Sequence, residues 1–286
     1  MTTHPSVGVF LPNVVPAAAP NSLVEWAIRA EERGFAALGV VDRIAYDSTD
    51  SLIALAMAAA VTERVELITD VLISPLRETT LLGKQAASID RASGGRLTLG
   101  VGVGIREDDF AVCGADPRTR GARFDQQLTD LTAQWTGDQV GPVPVRPGGP
   151  GLLIGGDAGI AAARVAAYGV GWTMMVGTPE QYAEGVATID AAWTEAGRGG
   201  APRTVAVQYA ALGPVGAERA RDAITAYYGW LGPDVAGWIA STAATDEETL
   251  AKRVAEFGAA GADLVLIAPC TGELAELDRF ADAVIG

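Results

Sequence analysis

Eight short apolar runs, each followed by a segment with helical periodicity, recur along this 286-residue chain, and that rhythm restricts the fold more than any single motif. The runs span residues 7–11, 36–41, 65–72, 96–101, 151–154, 171–176, 204–210 and 263–268. Most are largely continuous apolar runs, without strict alternation of apolar and polar positions. A strand of that kind is buried on both faces, as in a parallel sheet covered by helices. Helical patterns span 22–33, 51–62, 79–91, 120–136, 158–168, 179–196 and 273–285, with a pair at 217–231 and 246–260 between the last two strands. An eightfold strand–helix count is that of a closed (β/α)8 TIM barrel, and an α/β barrel of this length forms one domain, residues 1–286. An open doubly wound sheet shares the alternation; the count favours the barrel.

Local signals agree with these boundaries. Asn21 and Ser22 with Glu25 read as a capping box, and Thr178 ahead of Pro179 as an N-cap followed by first-turn proline. Gly34 and Gly261 each stop a helix before a strand. Residues 137–151, rich in Gly, Pro and Val, read as a loop inside the domain. Acids outnumber bases 35 to 21, giving a formal net charge of −14, which disfavours nucleic acid and anionic membranes as partners. Cys113 and Cys270 are the two cysteines; they form neither a disulfide framework nor a metal spacing, which suits a reducing compartment. Cys113 is expected on a helix and buried. The apolar stretch near 52–61 is too short to span a bilayer, and the first residues lack the basic and apolar regions of a signal peptide. The reading is a cytoplasmic protein.

The most informative stretch is LLGKQAASIDRASGGRLTLGVGVGIREDDFAVCG at residues 81–114. It reads as an amphipathic helix, a turn at Gly94 and Gly95, a buried strand, and a glycine-rich loop opening into an acidic helix start. Gly100, Gly102 and Gly104 let a partner approach the backbone where that strand ends, and in a barrel that end binds ligands. A second loop, Gly155, Gly156, Asp157, Ala158 and Gly159, closes one strand and opens a helix. Helix-start N–H groups bind phosphate without a lysine; a plain turn with Asp157 as N-cap is the alternative. Asp42 and Arg43 end the second strand. Asp42 suits a substrate-orienting group or base and Arg43 an anion or phenolate anchor, unless both serve structural ion pairs. Trp172, Met174 and Met175 suit a flat apolar ligand or core packing. Glu107, Asp108 and Asp109 read as first-turn acids. The single histidine, His4, lies in the N-terminal tail, which argues against histidine acid–base chemistry. No Ser-His-Asp set, metal cluster or phosphate loop of the GxxxxGK type is present.

Several segments carry a family resemblance: VGVFLP at 7–12, AEERGFAALGVVDR at 30–43, the long segment VELITDVLISPLRETTLLGKQAASIDRASGGRLTLGVGVGIREDDFAVCG at 65–114, RGARFDQQL at 120–128, LLIGGDAGIAAARVAAYGVGW at 152–172 and AGADLVLI at 260–267. Together they resemble the luciferase-like monooxygenases, TIM barrels that use FMN or the deazaflavin F420. The resemblance implies a cofactor phosphate at Gly155–Gly159 and an isoalloxazine ring or ribityl chain beside Gly102, Val103 and Gly104. It also implies a non-proline cis peptide at Asp70-Val71 behind the ring. Two departures stand out. Arg43 replaces a histidine that usually follows the acid, and Ile105 replaces a glutamate of F420-dependent sugar dehydrogenases. The implied activity is oxidation of a small apolar or aromatic substrate with O2, using reduced FMN from a separate reductase. F420-dependent hydride transfer and a non-catalytic flavin-binding barrel are the alternatives. A homodimer is a further implication of the resemblance.

Overall fold

The structure, a computed structural model, describes residues 4–15 and 21–286. Its strands are β1 (Ser6–Phe10), β2 (Ala37–Val40), β3 (Glu66–Thr69), β4 (Leu72–Ile73), β5 (Leu97–Gly102), β6 (Gly151–Gly155), β7 (Gly171–Met174), β8 (Arg203–Ala210) and β9 (Leu264–Pro269). The helices are α1 (Ser22–Glu32), α2 (Ser51–Val61), α3 (Thr79–Ala92), α4 (Glu107–Val112), α5 (Arg120–Thr136), α6 (Ala158–Tyr168), α7 (Pro179–Glu195), α8 (Gly216–Tyr228), α9 (Pro233–Ser241), α10 (Glu247–Ala259) and α11 (Leu274–Val284). All strand pairs are parallel, and the sheet runs β3-β2-β1-β9-β8-β7-β6-β5-β4. Pairing of β3 with β5, Leu67 opposite Leu97 and Ile68 opposite Thr98, closes it. The third barrel strand is thus two pieces: β3 and β4, separated by Asp70-Val71, whose peptide bond is cis. The result is a closed eight-stranded (β/α)8 barrel, and the open-sheet alternative falls.

Strand alternation sorts the core into two layers. Phe10, Ile68, Leu153, Val205, Val207, Leu264 and Leu266 fill the barrel interior. Their sequence neighbours, such as Val9, Leu67, Leu152, Val265 and Ile267, face the helices. Both layers are apolar, which is why the runs read as uninterrupted.

The expected stops hold: Gly34 and Gly261 take φ of +87° and +99°, a region open to glycine. Thr178 forms a full capping box with Gln181. Three expectations need correction. Asn21 does not cap α1 with its side chain; it sits at φ 68°, and the helix start is held by backbone bonds from Val24 and Glu25 to its carbonyl. Cys113 is exposed, because α4 ends there and turns it outward, whereas Cys270 is buried. The expected pair of helices before the last strand is three, with α9 inserted. Among the described residues no helix is long and apolar enough to cross a membrane, and no group of three His, Cys, Asp or Glu side chains could hold a metal.

Candidate active site

The C-terminal ends of the strands open into a cleft of about 720 Å³, within the range of small-molecule and cofactor sites. Its floor begins at Val71. The Val71 methyls occupy space that the neighbouring strands leave by having no side chain: a Cβ on Gly102 would lie 2.8 Å from one of them and a Cβ on Gly155 2.7 Å from the other. Gly100 is tighter still, since its Cβ would fall 1.8 Å from the Thr69 carbonyl oxygen. These three glycines therefore accept the third strand. Val71, Gly102, Val103 and Gly104 also line the cleft, so close packing and ligand approach coincide there.

Gly155, Gly156, Asp157, Ala158 and Gly159 also line the cleft. Asp157 caps α6 by accepting the Ile160 N–H at 3.2 Å, which turns its carboxylate along the helix. The N–H groups of Ala158 and Gly159 occupy the first two helical positions, where no intrahelical acceptor exists, and no other described group accepts from them. Gly156 has φ of +120° and no atom within 4 Å of where a Cβ would stand. Trp172 is buried, and its indole N–H donates to the Gly156 carbonyl at 2.9 Å. Its ring stacks on Tyr182 with centroids 5.4 Å apart and fills the space left by Gly185. Trp172 thus braces the loop from the barrel's helix-facing layer, and Met174 joins that layer. Met175 belongs to the interior layer.

The polar candidates at the end of β2 are engaged separately and not with each other. The Asp42 carboxylate accepts from the Ser51 hydroxyl at 2.6 Å, the Ile73 N–H at 2.9 Å and Arg77 Nη2 at 2.7 Å. These three donors hold the carboxylate in place, and Asp42 also lines the cleft. Arg43 donates through Nε to Asp109 at 2.8 Å and through Nη2 to Asp108 at 3.2 Å. Its guanidinium lies 4.9 Å from the centroid of Tyr46 and 5.5 Å from that of Tyr227, a favourable placement for a cation. Nη1 has no hydrogen-bond partner among the described residues. The acids of α4 thus do more than favour its dipole: Asp109 is fully buried and also accepts the Ile44 and Ala45 N–H groups at 2.8 and 2.7 Å. His4 is exposed, as expected.

Four aromatic residues that the sequence reading did not single out complete the cleft: Tyr227 and Tyr228 at the end of α8, Trp230 just beyond it and Trp238 on α9. Arg106 ties them to the glycine loop by donating to the Tyr227 carbonyl at 2.9 Å and lying 5.2 Å from the Trp230 ring centroid. Burial pushes the Tyr227 phenol up to about 12 despite the nearby Arg43. The Tyr209 and Tyr228 hydroxyls share a 2.9 Å hydrogen bond. The clue in the sequence was the dense aromatic run AYYGW at 226–230. Asp70, behind Val71, faces the interior and contacts the Thr173 hydroxyl. The arrangement is a slot with an apolar floor, an aromatic wall and open amide donors.

Comparison with known proteins gives this slot a context. The sequence profile of the family described as luciferase-like monooxygenase matches residues 6–271. An uncharacterized protein of Mycobacterium bovis is 29% identical over 174 residues, covering 55% of this chain and 61% of that protein; the match thus spans about three-fifths of its length. An F420-dependent secondary alcohol dehydrogenase, solved with an F420-acetone adduct, superposes with a TM-score of 0.81 at 18% identity, covering 99% of both chains. The oxygenating constituent of a 3,6-diketocamphane monooxygenase from Pseudomonas putida, solved with FMN, superposes with a TM-score of 0.71 at 11% identity over 98% of both chains.

Proposed function

Because the chain belongs to the luciferase-like monooxygenase family, we propose that it is an oxidoreductase that holds FMN or F420 in the slot and acts on a small apolar or aromatic substrate. The observation that carries this reading is the pairing of an apolar floor at Val71 with unpartnered helix-start amides at Ala158 and Gly159. The residues present fit such a cofactor. The slot has the volume for a tricyclic ring, and Gly156 leaves room for a phosphate to reach the amides. No lysine or arginine stands in residues 155–159, so the helix start carries the anion alone.

When bound, the cofactor supplies the redox chemistry, hydride transfer for F420 or oxygen activation for reduced FMN. The chain's own residues position and shield. Trp172 holds the Gly156 carbonyl, and Arg106 anchors the aromatic wall over the slot. Tyr227, neutral across the physiological range, presents its ring to substrate beside the Arg43 guanidinium. Arg43 Nη1, the donor left uncommitted, suits a substrate oxygen that carries negative charge.

Hydride transfer on F420 is the first reading, supported by the superposition on the F420-dependent secondary alcohol dehydrogenase along the whole chain. FMN-dependent oxygenation fed by a separate reductase is the second reading, supported by the apolar wall of Tyr228, Trp230 and Trp238. Titrating the purified protein with FMN, dithionite-reduced FMN and F420, while following absorbance and oxygen consumption, separates them. Tight binding of F420 without oxygen uptake is the expected outcome. Preference for reduced FMN with oxygen uptake would move the assignment to the second reading, and binding of none would end both.

A further inference from the structure

One carboxyl in the barrel has no role in the arrangement above. Asp70 is 1% exposed, and its two carboxyl oxygens lie 3.0 and 2.9 Å from the Thr173 hydroxyl on β7. Its backbone N–H donates to the Val40 carbonyl of β2 at 2.8 Å. The titratable groups that sense its charge are Tyr182 on α7 and Tyr228 on α8, both phenols raised by burial. No described lysine, arginine or histidine shifts its titration; burial, opposed only by the Thr173 hydroxyl, pushes it up to about 7. A buried carboxylate without a cation is poorly compensated. Yet the next residue, Val71, is the floor of the slot.

We propose that Asp70 is a charge-compensating proton site for the slot: seating an anionic ring over Val71 draws one proton onto the Asp70 carboxylate, and seating a neutral ring does not. This rests on the proposed function. The proton comes from water or buffer, an O–H bond forms on the carboxylate, and no electron moves. Two negative charges on either side of one residue repel strongly away from bulk water; protonating Asp70 removes that repulsion. The Thr173 hydroxyl serves both states, donating to the carboxylate or accepting from the acid. The protein would then distinguish the charge of the ring and not only its shape.

Isothermal titration calorimetry at pH 8, in buffers of differing ionisation enthalpy, counts the protons. Reduced FMN and F420, whose rings are anionic at that pH, are expected to take up close to one proton per ring bound, and oxidised FMN less than about half as many. In Asp70→Asn the uptake is expected to vanish, and reduced FMN to bind about tenfold tighter than in wild type at pH 8 but equally at pH 6, since one pH unit beyond the group's own titration is a factor of ten. Thr173→Val keeps the carboxyl and removes its hydrogen bond; it is expected to move the midpoint of proton uptake to higher pH, and it tests the idea should the asparagine variant not fold. In the cofactor-free protein, a protonated-carboxyl infrared band growing as pH falls through about 7, and missing in Asp70→Asn, is expected. Unchanged proton uptake in Asp70→Asn, or equal uptake with oxidised FMN, would overturn the inference and leave the proposed function standing. Failure of FMN and F420 to bind in any state would overturn both.

Discussion

Gly100→Ala is expected to lower the melting temperature by more than about 8 °C or to prevent folding. The added methyl would sit 1.8 Å from the Thr69 carbonyl oxygen, deep inside contact distance. The obstacle is backbone, so no side chain can swing aside. Thr69 is also bonded to Gly100 through its hydroxyl at 2.7 Å, which holds the two strands at this separation. The collision falls beside the seam where β3 and β5 close the barrel. Opening it exposes the interior layer, a loss of more than about 4 kcal/mol from a total that for most domains is only about 5–15. At roughly 2–4 °C per kcal/mol for a chain of this size, the shift follows. Gly121→Ala is the control: it lies in α5 with its nearest neighbour 3.9 Å from the new methyl, and its melting point is expected to stay within about 2 °C of wild type. Equal effects of the two substitutions, read by thermal unfolding, would show that the seam is not the sensitive point.

Arg77→Leu is expected to destabilise the fold by about 3–5 kcal/mol. Arg77 is the only described cation paired with Asp42, whose side chain is 1% exposed. The same guanidinium group reaches Asp50 at 2.9 Å, and Asp50 caps α2 through the Leu52 and Ile53 N–H groups. Leucine keeps the bulk but strands a buried negative charge, whose remaining donors are the Ser51 hydroxyl and the Ile73 N–H. Adding Asp42→Asn removes that charge and is expected to restore more than half of the loss in urea unfolding. A double variant no more stable than Arg77→Leu would place the effect in Arg77's packing and not in its charge.

These residues also show what the sequence could and could not reveal. Barrel strands announce themselves because both faces are apolar, so the pattern is written within each run. Helix ends at Gly34 and Gly261 are local as well: one residue with positive φ decides each. Ion pairs are different. Asp42 finds Arg77 35 positions away and Arg43 finds Asp109 66 positions away, and nothing near either residue encodes the partner. Adjacent in sequence, Asp42 and Arg43 invited a joint role, yet they are drawn into separate networks. Helix α9 leaves no periodic signal in the sequence, because it is nine residues long with Gly237 inside it. Trp238 is hidden with it, and so is part of the aromatic wall. Trp172 lines the cleft as expected of a ligand-facing residue, and strand alternation also packs its ring in the outer layer, where its indole holds the loop.

We propose that a phosphorylated cofactor sits in the slot with its phosphate against the start of α6. Comparing cofactor affinity in wild type and Gly156→Val tests it most directly. Gly156 has open space around it and a φ of +120° that valine resists, so the substitution changes the loop with no clash elsewhere. FMN or F420 is expected to bind wild type and to bind the variant at least about tenfold more weakly, as the loss of a helix-start anion site implies. Equal affinity in the two proteins would contradict it.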